Sequence, residues 1–202
     1  MDFSISLPDW AVAENHRLPE FIPSLEDRMR EVIRFSRLNF ERGTGGPFAA
    51  GVFERDSGRR IVLGVNRVVP SHCSSAHAEV TTLSLAQRLL GTFDLGDPRG
   101  PAYQLVVNWR PCVMCYGATL WSGVKSLVIA GSGPELEAIT GFDEGPIHPQ
   151  WDDELKKRGI EVVDGVLTDE ALAVFRDFAT SGALVYNAGG GGRSPRAAGA
   201  AD

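Results

Sequence analysis

The chain has 202 residues, of which 43% are hydrophobic and 23% charged. That length can bury one sizeable core but is short for two independent ones, so a single domain is expected. A net charge of −6 argues against a nucleic-acid partner, which draws on an excess of Lys and Arg, and no run of about eighteen apolar residues is present to span a membrane.

Residues 1–24 read as an N-terminal extension, and residues 1–10 lack the basic-then-apolar pattern of a signal peptide. Ser24 is placed to cap a helix over residues 25–42, with Leu25, Met29, Val32, Ile33 and Phe40 on its inner face. The Gly43–Gly46 run ends it. Residues 48–54 and 60–66 read as strands joined by Asp56-Ser57-Gly58, an antiparallel hairpin. A helix over residues 78–90 would bury Val80, Leu83 and Leu90 and turn Gln87 and Arg88 to water. Residues 103–108 form an apolar strand, 112–121 a helix, 125–130 another buried strand, and 160–163 a fifth strand. Thr168 is expected to cap a last helix with Leu172, Phe175 and Phe178 inward. Residues 187–202 are rich in Gly and Ala and read as a flexible tail, leaving residues 25–186 as the domain. A hairpin followed by alternating helices and strands predicts an α/β fold, a three-layer α/β/α sandwich around a mixed five-stranded sheet.

The chemistry lies in His77-Ala78-Glu79 and Pro111-Cys112-Val113-Met114-Cys115. One imidazole and two thiolates hold a zinc ion and keep a fourth position open for water, while Glu79 remains as an uncommitted carboxylate to move that water's protons. Cys112 and Cys115 are three positions apart. If a helix begins near Pro111, both thiols lie on one face of its first turn, where the positive helix end favours thiolates. His77 and Glu79 open the other helix, so two helix starts converge on one ion. A lone His or a lone C-x-x-C pair is more often structural or redox-active, but these four side chains occur as a set, and one Zn2+ per chain is expected. Three cysteines are too few for a disulfide framework, which fits a reducing, cytoplasmic location. Cys73 reads as a plain thiol in a serine-rich loop, and His16, His72 and His148 are assigned no role.

The order H-x-E followed by P-C-x-x-C is the signature of zinc-dependent nucleobase deaminases, and the chain resembles the cytidine-deaminase-like superfamily. Gly45-Gly46-Pro47-Phe48, Asn66, Cys115-Tyr116-Gly117-Ala118, Trp121 and Gly141-Phe142-Asp143-Glu144 narrow the resemblance to the bacterial guanine deaminase branch, over residues 25–178. The resemblance implies hydrolytic deamination of a free amino-substituted nucleobase. Guanine, giving xanthine and ammonia, comes first; related aminopurines and aminotriazines stay open. Zinc on His77, Cys112 and Cys115 would make hydroxide available at neutral pH, and Glu79 would shuttle its proton to a ring nitrogen. Glu144 would meet the leaving amine. The Ala78 N–H would bind developing oxygen charge, Phe48 would lie against the base, and Asn66, both donor and acceptor, would read its edge. Trp121 would wall the pocket. The resemblance further implies a homodimer, with residues 175–186 crossing to the partner chain and Tyr186 closing its pocket. The chain departs from the family pattern at Asn108-Trp109-Arg110, where a small polar residue and, just before the proline, a glutamate are usual; Arg110 reverses that charge.

Three rival readings use the same residues. A tRNA-specific adenosine deaminase shares the zinc chemistry, but the acidic balance and the Gly-Phe-Asp-Glu loop argue against it. A non-catalytic zinc-stabilised interaction module leaves Glu79 without a purpose. A thiol–disulfide oxidoreductase on Cys112 and Cys115 ranks last, and one tightly bound zinc per chain would exclude it.

Overall fold

In the computed structural model, which describes residues 4–189, the elements run α1 (Asp9–Arg17), α2 (Leu25–Glu41), β1 (Ala49–Glu54), β2 (Arg60–Val65), α3 (Val68–Ser71), α4 (Ala78–Leu90), β3 (Tyr103–Val107), α5 (Val113–Ser122), β4 (Ser126–Ile129), α6 (Glu135–Thr140), α7 (Trp151–Lys156), β5 (Glu161–Val163) and α8 (Thr168–Thr180). The strands form one sheet in the order β2-β1-β3-β4-β5. Pairing is antiparallel from β2 through β1 to β3 and parallel from β3 to β5. The antiparallel pair β1–β2 needs only the short Asp56-Ser57-Gly58 turn, with Gly58 at φ +74°, whereas the parallel strands are joined through helices.

Alternation along the strands decides the layers. Ala49, Phe53, Leu63, Val65, Val106 and Val128 point into one core with Met29, Val32 and Phe35 of α2 and Ala171, Val174 and Phe175 of α8. The intervening Ala50, Val52, Val62, Leu105, Val107, Leu127 and Ile129 point into a second core with Ala78, Leu83 and Ala86 of α4, against which Leu120 of α5 packs. Burial on both faces is why β3 and β4 read as continuous apolar runs rather than alternating ones. Truncating a fully buried member such as Leu105 or Leu127 to alanine costs about 2–5 kcal/mol.

Several local expectations hold and others are corrected. Ser24 caps α2, its hydroxyl accepting from the Asp27 N–H at 3.1 Å. Thr168 is not a cap: Leu167 takes that position at φ +58°, and the Thr168 hydroxyl donates to Ala130 O at 2.6 Å, fastening α8 to the end of β4. Val80 and Leu90 are half-buried, because Ala78, Thr82, Leu83 and Ala86 form the inner face of α4. The helices α1, α3, α6 and α7 were not foreseen. No helix of the described residues is long and apolar enough to cross a membrane.

The segment ahead of α2 covers the free edge of the sheet. Asn15 of α1 accepts from Leu63 N–H at 2.9 Å and donates to Leu63 O at 2.8 Å, as a neighbouring strand would. Beyond it, Arg60 N–H donates to Glu20 O and Ile22 N–H to Gly58 O. The edge β2 would otherwise present unpaired groups for pairing with another chain. At the other end, Asn187 bonds both Gly141 O and Asp143 N–H, while residues 190–202 of the expected tail lie outside the described residues.

Candidate active site at the starts of two helices

His77 and Cys112 are the N-cap residues of α4 and α5, both in extended backbone conformation, and neither makes a side-chain capping bond. Each is free to turn toward the other. Cys112 Sγ lies 3.5 Å from His77 Nδ1, and the ligand atoms of His77, Cys112 and Cys115 lie within 4.8 Å of one another. Tetrahedral zinc with bonds of about 2.0–2.3 Å sets its ligand atoms roughly 3.5–3.8 Å apart, so this triangle fits zinc with slight contraction.

The charges agree. Hydrogen bonds from Cys115 and from His77, against the effect of burial, hold the Cys112 thiol down at about 4. Its hydrogen bond to Cys112, together with burial, pushes Cys115 well above the usual thiol value. The pair left to itself therefore keeps one proton, and a cation is what lets both sulfurs ionise. Burial lowers the His77 value, but the bond to Cys112 and the nearby Glu79 carboxylate raise it on balance. Glu79, buried in the first turn of α4, is raised by burial and then by the Cys112 charge. Burial, followed by the charges of Cys112 and Glu79, pushes Glu144 up to about 8. Glu144 thus stands ready to hold or release a proton near neutrality, and Glu79 is shifted in the same direction.

The site opens into a cavity of about 430 Å³. Phe48, Asn66, His77, Ala78, Glu79, Cys112, Glu144 and Tyr186 all line it. Cys115 is fully buried and reaches the group only as the third corner of the ligand triangle. Phe48 meets Phe142 edge-on, ring centroids 5.0 Å apart. Asn66 is buried, with Oδ1 accepting from Val68 N–H at 3.2 Å, so the turn role and the cavity position coexist. The Tyr186 hydroxyl is buried with no hydrogen-bond partner among the described residues. Burial, and then Glu144 and Glu79, raise its pKa well above the usual phenol value, so it remains a proton donor.

One expectation fails here. Trp121 does not wall the cavity: it sits at the far end of α5, roughly 9 Å along the axis from Cys115 at about 1.5 Å per residue, and is 89% exposed. In the single chain, the segment of residues 175–186 packs on the rest of the fold. α8 packs on α2 and α6, Phe178 stacks on Phe142 with centroids 5.5 Å apart, and Tyr186 meets the same Phe142 ring at 5.0 Å while lining its own chain's cavity.

The departure at Asn108-Trp109-Arg110 finds its explanation in the neighbouring loop. Arg110 donates from its backbone N–H to Gly131 O and from its guanidinium to Ser132 O, and Trp109 Nε1 donates to Gly133 O. The Trp109 ring fills the space where a Cβ on Gly131 would come within 2.6 Å. The two unusual side chains lock the turn between β3 and α5 to the loop after β4. Sequence reasoning passed over Phe142 and Asp143, which also line the cavity, and Glu137, whose carboxylate accepts from Glu144 N–H at 3.2 Å. Phe142 and Asp143 stood in the Gly-Phe-Asp-Glu run and could have been drawn from it; Glu137 had no such signal. The carbonyl of Glu144 accepts from Val113 N–H, docking the acidic loop on the start of α5.

Known proteins share this arrangement. Residues 24–131 match the zinc-binding region of cytidine and deoxycytidylate deaminases. A guanine deaminase of Bacillus subtilis (strain 168) is 33% identical over 156 residues, spanning 76% of this chain and 95% of that protein. The structure of a guanine deaminase from Nitrosomonas europaea superposes with a TM-score of 0.82 at 49% identity, over 87% of this chain and 95% of that one. That of the protein designated NE0047 in complex with 2,6-diaminopurine gives 0.84 at 49% identity, over 92% and 96%. The two guanine deaminases match over nearly their whole length, and His77, Cys112 and Cys115 form one triangle beside a cavity lined by Glu79 and Glu144, so the chain belongs to the zinc-binding cytidine and deoxycytidylate deaminase family, in its guanine deaminase branch, and is a hydrolytic nucleobase deaminase.

Proposed function

We propose that the base deaminated is guanine, converted with water to xanthine and ammonia, with one zinc per chain on His77, Cys112 and Cys115. The observation that carries this is the meeting of Glu79 and Glu144, both with raised pKa, in a cavity beside the ligand triangle. Zinc, when bound, supplies Lewis acidity that makes water a nucleophile at neutral pH. Glu79 takes a proton from the attacking water and delivers it to the ring nitrogen next to the amine-bearing carbon. Glu144 faces the 2-amino group and holds it as the carbon becomes tetrahedral; it then gives the amine its proton and recovers one from the new hydroxyl, so the C–N bond breaks with release of ammonia as the product carbonyl forms. The Ala78 N–H, first in α4, points its dipole at the new oxygen charge. Phe48 offers a ring face to the planar base, Asn66 pairs with its edge, and Tyr186 shuts out water above it.

A volume of about 430 Å³ lies within the range of small-molecule sites, about 300–1,000 Å³. Its lining carries Glu79, Asp143 and Glu144 against one arginine, Arg110, which suits a neutral base better than a phosphate chain. Ammonia release by the zinc-loaded protein over guanine, isoguanine, cytosine, adenine and aminotriazines tests the reading. Guanine should show the highest kcat/KM; turnover of another base with none of guanine would overturn it. A mobility shift of transfer RNA at physiological salt would favour the tRNA-directed rival, because phosphate contacts dominate such binding.

The remaining expectations belong to the same reading. We place the catalytic domain at residues 25–186, with residues 1–24 as an extension, and the protein in the cytoplasm, where Cys112 and Cys115 stay reduced for the metal. We propose a homodimer. Leu89 and Phe93 at the end of α4 and Trp121 on α5 are exposed, and the bond from Leu95 N–H to Ser122 O brings the two stretches together. Sedimentation should give a dimer that Trp121→Arg turns into a monomer.

A further inference from the structure

Two peptide groups flank Phe48, and one side chain grips both. Asn108, fully buried just after β3, accepts from Ala49 N–H through Oδ1 at 3.0 Å and donates from Nδ2 to Pro47 O at 3.0 Å. The ladder between β1 and β3 ends at the pair Ala50 and Val107, and Asn108 prolongs it with both its backbone N–H, which donates to Ala49 O at 3.5 Å, and its side-chain amide. The loop residue it holds makes its own hydrogen bonds through its backbone, Phe48 N–H donating to Gly46 O at 2.8 Å and Phe48 O accepting from Asn66 N–H at 3.0 Å, while its ring packs on Phe142 and Phe175 with centroids 5.0 and 6.0 Å away. Phe48 and Asn66, the face and the edge of the base-binding wall, are therefore one hydrogen-bonded unit, and Asn108 anchors it to the central strand. Its neighbours Val107 and Trp109 line the cavity, but Asn108 does not.

We propose that Asn108 is a positioning residue for the deamination: it fixes the Phe48 ring against the base and, through the Phe48–Asn66 bond, the level of the Asn66 amide. The inference rests on the reading of Phe48 as the ring that meets the base. A side chain that merely filled a core position would act on the folded fraction and leave the affinity of folded protein unchanged. One that holds Phe48 acts on binding of base and transition state alike, which raises KM and spares kcat.

The test is a double-mutant cycle on Asn108→Ala and Phe48→Ala, with KM, kcat, zinc content and folded fraction measured for the wild type, both single variants and the double variant. Asn108→Ala should retain zinc and raise KM roughly three- to tenfold, the size of one lost aromatic contact, with kcat per folded site changed less than about twofold. In the Phe48→Ala background the same change should add less than about twofold. Additive effects, a KM unmoved by either single variant, or a fall confined to the folded fraction would overturn the proposal. If Asn108→Ala does not fold, Asn108→Ser, which keeps one hydroxyl to bond Ala49 or Pro47, enters the cycle with the same criteria. The base used is whichever the wild type turns over fastest, so a wrong substrate shows in the wild type alone and a wrong role for Asn108 shows only in the cycle.

Discussion

His77 Nδ1 and Cys112 Sγ stand 3.5 Å apart although 35 residues separate them in the chain. Each stands at the N-cap of a helix without a side-chain capping bond, and the sheet brings the two helix starts together. Removing one corner of the triangle should therefore cost the metal. Cys115→Ala is expected to reduce zinc to a small fraction of one per chain by elemental analysis. It should also lower thermal stability, because the metal's binding free energy is part of the folded state's. Full zinc occupancy in Cys115→Ala would remove Cys115 from the ligand set.

Glu79 lies two residues from His77 but outside the triangle. Glu79→Gln keeps shape and burial and loses the proton carrier. Zinc content should remain at the wild-type level while kcat falls at least about a hundredfold, the low end for general acid–base catalysis. Normal turnover by this variant would mean that another group, Glu144 foremost, moves the proton.

The parts of this site that were legible in the sequence share a physical cause. His77, Glu79, Cys112 and Cys115 are fixed by metal geometry and helix periodicity, both of which are local, and α4 was foreseen with its bounds because its apolar spacing and Gly91 stop are local too. Trp121 was misplaced because its role was carried over from the resemblance, and the helix twist and the distance along α5 put it on the outer surface. Asn108 was read only as part of a departure from pattern, since nothing in one sequence says that its amide spans Pro47 and Ala49, 61 and 59 residues away. The short helices α6 and α7 have six residues each, too few to display a period, and α1 is polar on most of its surface, with Ala11 as its buried residue.

The cover over β2 makes a prediction about Asn15. Its amide satisfies both the N–H and the C=O of Leu63, and alanine would leave both without this partner. Asn15→Ala should destabilise the fold by about 1–3 kcal/mol, measured by urea unfolding. Because the edge is then less well covered, self-association on heating should also increase. An unchanged urea midpoint would show that water replaces the side chain without cost.

Glu14 adds a pH-dependent tie between α1 and α2. Its hydrogen bond from Arg34, 2.8 Å long, outweighs burial and, with help from Arg17, holds the carboxyl below its usual value. The folded pKa is therefore lower than the unfolded one, so the stabilisation is fully present above the unfolded value and is lost as pH falls through the folded one. The wild type should exceed Glu14→Gln in stability by no more than about 1 kcal/mol at neutral pH. That gap should close in unfolding curves as the pH drops to about 3. A gap that widened in acid would contradict the sign of the shift.

Gly46 sets how closely Tyr186 can approach the cavity. A Cβ there would stand 2.6 Å from the Tyr186 hydroxyl and 3.1 Å from the ring edge, so Gly46→Ala must displace the phenol. The displaced hydroxyl has no hydrogen bond to lose among the described residues, and a ring at the far end of a side chain moves more easily than backbone. The stability cost should fall toward the low end of the roughly 1–3 kcal/mol usual for overpacking. The effect on the base should be larger: with the ring pushed aside, water enters above the site and KM rises. Tyr186→Phe in the Gly46→Ala background takes away the atom that clashes most, and should return KM to that of Tyr186→Phe alone. If Gly46→Ala leaves KM unchanged while a crystal structure shows the ring moved, Tyr186 does not close the cavity over the base.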